Sequence, residues 1–479
     1  MIFSSASFFI FFAVVMATYA LARSTAQRAV ILLIASLIFY ASWKPVYLLL
    51  LGASLGVNYL LYNSLLATRR RAVLVFGITI NLLALGLFKY LGMLIGSALW
   101  AAALFKPAVD AAVPGWVNWA LPLGISFYTF HMLSAMIDVY RGDWAKPVSF
   151  RTWCLYVTYF PHLIAGPILR PGQLIDQLEE LKPLDVGEMR LGAAIFAGGL
   201  IKKVLFADNL APIVDKIYAV PNGLDFATSW VGTLAFAFQI YFDFSGYSEM
   251  AIGLAQMMGV RLPRNFVYPY ISRSPVEFWR RWHITLSLWL RDYLYISLGG
   301  SRRGADRTYF NLMTTMFLGG LWHGANWTFA IWGVMHGCYL VGTRLLEAFY
   351  ARIGIAANAT LSYWLSLSGM PVTFVLVCFT WVFFRAPDFK AAFAIGGAML
   401  GLAHPSAPLP LVRTYEIAIV VVSAIVVFVE PLVVTRLQKT GIASWWKVPF
   451  PLRGAAYALC SLLLLIFGGA TQKFIYFDF

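Results

Sequence analysis

The chain has 479 residues, 61% of them hydrophobic and 12% charged, about half the charged fraction of a soluble domain. An ordinary globular protein in water is excluded, and lipid is the expected solvent. The net charge is +15, but the basic residues sit in loops between apolar runs, where they set orientation in a bilayer rather than form a nucleic-acid surface.

A helix needs about 20 apolar residues to cross a bilayer core. Stretches lacking Asp, Glu, Lys and Arg predict spanning helices over Met1–Ala22, Pro45–Thr68, Ala72–Phe88, Ala111–Ile137, Thr152–Leu169, Phe226–Phe242, Thr308–Thr343, Gly354–Phe384 and Gly454–Gln472. Shorter candidates lie at Ala29–Trp43, Tyr90–Phe105, Leu191–Ile201, Ala391–Leu402 and Ile417–Val429. The run from Thr308 to Thr343 is long enough for two spans, so the expectation is roughly 11 to 13 spanning or re-entrant helices. No polar segment is long enough for a soluble domain, and residues 1–479 read as one polytopic membrane domain. Ala20-Leu21-Ala22 resembles a cleavage site, but no basic residue precedes the first run, so a retained helix is expected.

Arg69-Arg70-Arg71 marks a cytoplasmic loop. The segment Arg261 to Arg307 carries nine arginines together with Phe278, Trp279, Trp282, Trp289, Tyr293 and Tyr295. It is expected on the same face at headgroup depth, either as a lipid-facing amphipathic helix or as a cradle for an anionic cofactor.

Gly52-Ala53-Ser54-Leu55-Gly56 has the G-x-S-x-G pattern of serine hydrolases, but that motif needs a strand-to-helix turn. Inside an apolar span the two glycines predict close helix packing instead. The cysteines at 154, 338, 378 and 460 have neither redox nor zinc spacing. The histidines are His131, His162, His283, His323, His336 and His404. An ionisable group at membrane depth is by default a functional candidate. His323 ranks first, in Gly319-Gly320-Leu321-Trp322-His323-Gly324-Ala325-Asn326-Trp327, because the flanking glycines allow close approach or a helix break beside the ring. His283 lies at the edge of the basic segment, and His336 is more simply a histidine hydrogen-bonded between helices. A metal site is not expected, since no carboxylate or cysteine stands at ligand spacing.

The ordered segments Phe127-Tyr128-Thr129-Phe130-His131, Ile137-Asp138-Val139-Tyr140-Arg141-Gly142, Tyr159-Phe160-Pro161 and Ala165-Gly166-Pro167-Ile168 belong to a recognisable pattern. It continues through Asp243-Phe244-Ser245-Gly246-Tyr247-Ser248, Asn265-Phe266, Tyr268-Pro269-Tyr270 and Phe278-Trp279-Arg280-Arg281-Trp282-His283. Trp289-Leu290-Arg291-Asp292-Tyr293, Leu321-Trp322-His323-Gly324-Ala325-Asn326-Trp327 and Phe474-Ile475-Tyr476-Phe477-Asp478-Phe479 complete it. This series resembles the membrane-bound O-acyltransferases of the bacterial alginate O-acetyltransferase type, most densely over about 120–340. His162, where Gln or another residue is expected, and Glu249, where Asp is expected, depart from the pattern, and neither is expected to touch the chemistry.

The resemblance implies an all-α integral membrane fold, a ring of tilted helices about a thin centre crossed by a tunnel. It also implies that the catalytic histidine is His323 and that His283 occupies a second recurrent polar position. Substrate contacts are expected from Asn326, Trp322, Asp243, Ser245, Arg280 and Arg281. No permanently bound cofactor is expected. The expected donor is acetyl-CoA, whose phosphates a basic inner face would attract. The expected acceptor is a polysaccharide beyond the inner membrane of a bacterium, reached directly or through a periplasmic acetyltransferase partner. D-alanyl transfer to teichoic acid is the alternative within the family, and a channel or transporter the alternative outside it.

Overall fold

The computed structural model describes residues 1–105, 114, 121–354, 359–403, 412–440, 448–468 and 472–475. Among them all regular structure is helical. The N-terminal part comprises α1 (Ala6–Leu21), α2 (Thr25–Ala41), α3 (Tyr47–Thr68), α4 (Arg71–Leu85), α5 (Leu91–Phe105) and α6 (Ile125–Arg141). Two short helices follow, α7 (Phe150–Thr158) and α8 (Pro171–Glu179), then α9 (Val186–Ile201), α10 (Asp208–Tyr218) and α11 (Phe226–Met257). The basic segment folds as α12 (Pro275–Arg281) and α13 (Ile284–Trp289). After it come α14 (Ala305–His323), α15 (Trp327–Arg352), α16 (Ala359–Arg385), α17 (Phe389–Met399), α18 (Thr414–Thr440) and α19 (Phe450–Phe467). Many helices start on a side-chain cap, including Ser24 with Gln27 as a full capping box, Asp185, Asp225, Ser274 and Asn326, each worth roughly 1 kcal/mol.

Five helical stretches are long and apolar enough to cross a membrane: Tyr47–Thr68, Arg71–Phe105, Leu365–Arg385, Thr414–Arg436 and Phe450–Phe467. Others, such as α1 and α2, are apolar but shorter. α19 buries none of its residues in the protein and exposes Leu459, Leu465 and Ile466, a surface only lipid can cover. The molecule is a multi-pass membrane protein.

Two hydrophobic cores meet along α11. One gathers α1 to α4 and α6 to α8 and takes Phe244, Tyr247 and Leu254 from α11. The other gathers α10, α12 and α15 to α18 and takes Phe236, Ile240 and Phe242. α11 is 32 residues long, about 48 Å, and the run ending at Phe242 continues as helix through Asp243 because Lys203 neutralises that carboxylate at 2.7 Å. α9 lies antiparallel on α11, where a Cβ on Gly192 would meet the Gly253 carbonyl at 2.5 Å and one on Gly199 the Gly246 carbonyl at 2.5 Å. These are the close small-residue contacts of membrane helices. The contacts expected of Gly52 and Gly56 do not form, as a Cβ at either position points into open space.

Two further expectations resolve differently from the run lengths, and a third, the division of the longest run, is met. The run Thr152–Leu169 is not one helix. α7 stops before Pro161, which disfavours helix at the residue preceding it, and the chain continues as a buried re-entrant segment. Its backbone is satisfied by side chains: Ser36 accepts from the Phe160 amide at 3.0 Å, Thr285 from Ile168 at 2.9 Å and His131 Nε2 from Leu169 at 3.0 Å. The runs ending at Phe88 and starting at Tyr90 form one continuous helix, with Lys89 inside a π-helical turn, Gly86–Tyr90. The run Thr308–Thr343 holds two helices, broken at Gly324.

The aromatic residues of the basic segment do not face lipid. Phe278, Trp279 and Trp282 are buried, stacked against Tyr270, His336 and Trp381, because α12 turns that face into the second core.

Candidate active site

α14 delivers His323 at its last residue, and α15 starts four residues later on the Asn326 cap. The two helices touch through Gly320 and Gly333: a Cβ on the first would meet the Phe329 carbonyl at 2.2 Å, and on the second the Met316 carbonyl at 2.2 Å. This contact seats the His323 ring among Trp322, Trp332 and Phe384, with ring centroids at 5.0, 4.9 and 5.2 Å. The carbonyls at the end of α14, left without helical partners, are taken by the π turn: Lys89 Nζ donates to Trp322 O at 2.5 Å and Tyr90 Oη to Leu321 O at 2.8 Å.

His323 is 2% exposed, and it lines a small cavity of about 50 Å³ together with Trp43, Lys89, the turn from Leu121 to Phe127, and Trp322. Trp43 precedes α3 and Arg69 follows it, so the 22-residue helix separates this cavity from the Arg69 loop by roughly 33 Å. The Arg69 side chain lies beside Gly142. Arg141 in turn donates to the Asp292 carbonyl at 3.0 Å. Arg69, Arg141 and the basic segment therefore share one face, and the cavity lies at the opposite, Trp43 end of α3. Asp292 belongs to that basic face. Burial pushes its carboxyl up, but hydrogen bonds from Arg291 and Arg170 outweigh it and leave it below the usual carboxylate value.

A second cavity of about 290 Å³ is built on the basic-face side, between α9, α11 and α18. Arg264 and Ile252 lie at one end, and Tyr241, Lys202 and Glu430 at the other, about 16 Å along α11. Lys202 pairs with Glu249 at 2.6 Å and Glu430 at 2.7 Å, and Tyr241 donates to Glu430 at 3.1 Å. Ser245, Ser248 and Asn265 also line it.

His283 lies between the two cavities. It is fully buried, with φ +40° at the N-cap of α13, and neither ring nitrogen has a side-chain hydrogen-bond partner among the described residues. Phe244 meets it edge-on at 4.7 Å, Phe266 of the inner cavity lies at 6.5 Å, and Trp322 of the outer cavity at 5.9 Å. The rings of Phe266, His283 and Trp322 form a chain of contacts from the inner cavity to the outer one.

The structure brings four of the eight residues expected at the site to this axis: His323, Trp322, His283 and Ser245. Asp243 instead pairs with Lys203, which also holds Asp208 at 2.8 Å, and it accepts from the Ile475 amide at 2.7 Å. Asn326 caps α15 through the Thr328 amide and donates to Pro387 O at 3.0 Å. Arg281 pairs with Glu277 at 2.7 Å, and Arg280 is exposed on the basic face. Neither arginine lines either cavity. His336 accepts from Trp279 Nε1 at 3.3 Å and bonds Thr380 at 3.1 Å, a tie between helices. His131 and His162 meet edge-on at 4.6 Å beside the first core, and His404 lies outside the described residues. Glu249, set aside in the sequence, lines the inner cavity. Lys89 was missed because a lone lysine between two apolar runs reads as the boundary of two spans.

Helices that need lipid, and a buried imidazole on the wall of a cavity between them, define a class: multi-pass membrane proteins with an internal site. Residues 144–379 match the MBOAT model, that of the membrane-bound O-acyltransferase family. The chain is 44% identical to a protein named probable alginate O-acetylase from Pseudomonas aeruginosa, over 83% of this chain and 75% of that one. It is 35% identical to a peptidoglycan O-acetyltransferase of Helicobacter pylori, over 78% and 73% of the two chains. A teichoic acid D-alanyltransferase of Streptococcus thermophilus is 32% identical over 46% of this chain and 56% of its own. The chain belongs to the membrane-bound O-acyltransferase family and is an O-acyltransferase.

Proposed function

We propose that the protein takes an acetyl group from acetyl-CoA at the basic, cytoplasmic face of the bacterial inner membrane and passes it to a hydroxyl on the far side. The final acceptor is an extracytoplasmic polysaccharide, alginate-like, cellulose or peptidoglycan, reached directly or through a periplasmic partner protein. One observation carries this reading: His323 lies on the wall of a cavity at the Trp43 end of α3, opposite the basic face, while a second cavity lies on the basic-face side and is joined to the first by the rings of Phe266, His283 and Trp322. The curated relatives named for O-acetyl transfer cover far more of the chain than the D-alanyl transferase does.

In this reading the donor thioester enters the inner cavity, past Arg264, and its carbonyl reaches the ring layer. The acceptor hydroxyl enters the outer cavity and donates its proton to an imidazole nitrogen of His323. Its oxygen attacks the thioester carbonyl, the C–S bond breaks, and the thiolate leaves protonated by the same imidazolium. His283, buried with no side-chain partner, is placed to steady the negative oxygen or orient the thioester. Trp322, in contact with both imidazoles, fixes their relation.

The test uses purified protein, radiolabelled acetyl-CoA and an acceptor oligosaccharide. His323→Ala is expected to lower acetyl transfer by about two to four orders of magnitude in protein that still inserts and unfolds at the wild-type temperature. Transfer at the wild-type rate by that variant would reject the assignment.

A further inference from the structure

A groove of about 760 Å³ opens on the outside of the helix assembly, between the turn joining α1 to α2 and the first turn of α7. It sits on the basic face. Arg28 of α2 donates to Leu181 O, just past α8, at 3.3 Å, and Gln177 of α8 exchanges hydrogen bonds with the Arg261 backbone at 3.0 and 2.8 Å. Arg28 is occupied by that contact and by the Ala22 carbonyl. Arg23 and Arg151, which line the groove, are exposed and make no side-chain hydrogen bond or ion pair among the described residues. Gln27 supplies a third donor: its Oε1 accepts from the Arg23 and Ser24 amides at 2.7 and 3.2 Å, which fixes the orientation of the amide and leaves its NH2 group for an occupant. No Asp or Glu lines the groove, and Leu21, Val30 and Ile31 make its apolar wall. Val30, Ile34 and Ile38 continue that wall as an exposed stripe at four-residue spacing along α2. The stripe runs about 12 Å, close to the roughly 15 Å of hydrocarbon in one leaflet.

We propose that this groove binds an anionic phospholipid from the leaflet on the basic face: Arg23, Arg151 and Gln27 hold the headgroup phosphate, and an acyl chain lies along Val30, Ile34 and Ile38. A soluble anion makes no use of the stripe, and a plain hydrocarbon makes none of the guanidinium groups. A zwitterionic lipid shares the phosphate but brings an ammonium to a wall with two positive charges and no carboxylate, so a net-negative headgroup is the better fit. Charge-assisted hydrogen bonds from guanidinium to phosphate favour it by about tenfold. The bound lipid joins α2 to the first turn of α7, the helix that runs into the re-entrant segment.

The experiment counts bound lipids by native mass spectrometry on the full-length protein in a non-ionic detergent, with equal amounts of phosphatidylglycerol and phosphatidylcholine added. The first lipid retained by the wild type is expected to be phosphatidylglycerol, by about tenfold or more. Arg23→Gln combined with Arg151→Gln is expected to erase that preference. Arg302→Gln combined with Arg303→Gln removes the same charge from an exposed stretch of the basic segment and is expected to keep it, whereas a general attraction of the basic face for anionic lipid would fall equally in both. Inorganic phosphate in large excess, compared with chloride at matched ionic strength, is expected to leave the preference intact. No preference in the wild type, its loss in both double variants, its survival in the Arg23/Arg151 variant, or its removal by free phosphate would each overturn the proposal. Should the Arg23/Arg151 variant fail to fold, the two single substitutions carry the same test, each expected to weaken the preference several-fold.

Discussion

His283 combines a left-handed backbone, φ +40° and ψ +55°, with a ring held between Phe244 and Trp322. A side chain in that conformation costs roughly 1 kcal/mol or more, which glycine avoids. His283→Gly should therefore be more stable than His283→Ala by about 1 kcal/mol, while both lose acetyl transfer alike. Thermal unfolding beside an activity assay separates the two effects, and an active glycine variant would remove the imidazole from the proposed reaction. Asp292 gives a pH prediction. Its value is lowered in the folded state by Arg291 and Arg170, so the stability it contributes is present above about pH 4, the unfolded carboxylate value, and is lost as pH falls through the lowered folded value. Asp292→Asn should flatten the acid limb of a stability profile measured in detergent; an unchanged limb would show the pairing to be inconsequential. His323, His283 and Trp322 were legible in the sequence because their motif places them together. Asp243, Asn326 and Arg281 were legible only as polar residues near the motif, and in the fold each is occupied by a backbone group or an ion pair. Lys89 was hidden because contact across 233 positions, from Lys89 to Trp322, leaves no local trace.

The helices were legible wherever an apolar run matched a bilayer crossing, as for α3, and illegible where the backbone departs from a plain helix. Three π-helical turns occur among the described residues, Gly86–Tyr90, Lys202–Ala207 and Leu290–Tyr295, and in the sequence their charged residues read as the edges of apolar runs. Each aims charged side chains inward or across the basic face: Lys89 at the outer cavity, Lys202 at the inner one, Asp292 at Arg170. The Thr152–Leu169 run looked like a span because its backbone partners, Ser36, His131 and Thr285, lie on other helices. α14 and α15 offer a direct test of packing. Gly333→Ala places a Cβ 2.2 Å from the Met316 carbonyl, whereas Gly342→Ala on the same helix meets nothing within 4 Å. The first should destabilise by about 1–3 kcal/mol and cut acetyl transfer by more than tenfold, since α15 must shift from the helix that ends in His323. The second should be neutral or slightly stabilising. Equal behaviour of the two variants in thermal unfolding would contradict the close approach.

The placement of Trp43 and Arg69 at opposite ends of α3 orients the protein. In a cysteine-free background, Trp43→Cys should react with an impermeant thiol reagent added to cells whose outer membrane has been opened. Arg69→Cys should react only after the inner membrane is lysed. The reverse pattern would turn the donor and acceptor sides around. The buried cluster of Lys203, Asp208 and Asp243 has its own consequence. Asp243 accepts from the amide of Ile475, and Phe474 stacks on Tyr247 at 4.7 Å and meets Phe244, the phenylalanine that borders His283, edge-on at 5.8 Å. Those residues follow α19, so the ribosome makes them after every helix described. Until they are released and dock, a newly synthesised chain can be threaded through the bilayer with Asp243 short of one ligand and Phe244 bare on one side. Completion of the layer around His283 thus waits on the segment after α19, and a nascent chain stalled before Phe474 would be inserted with that layer open on one side.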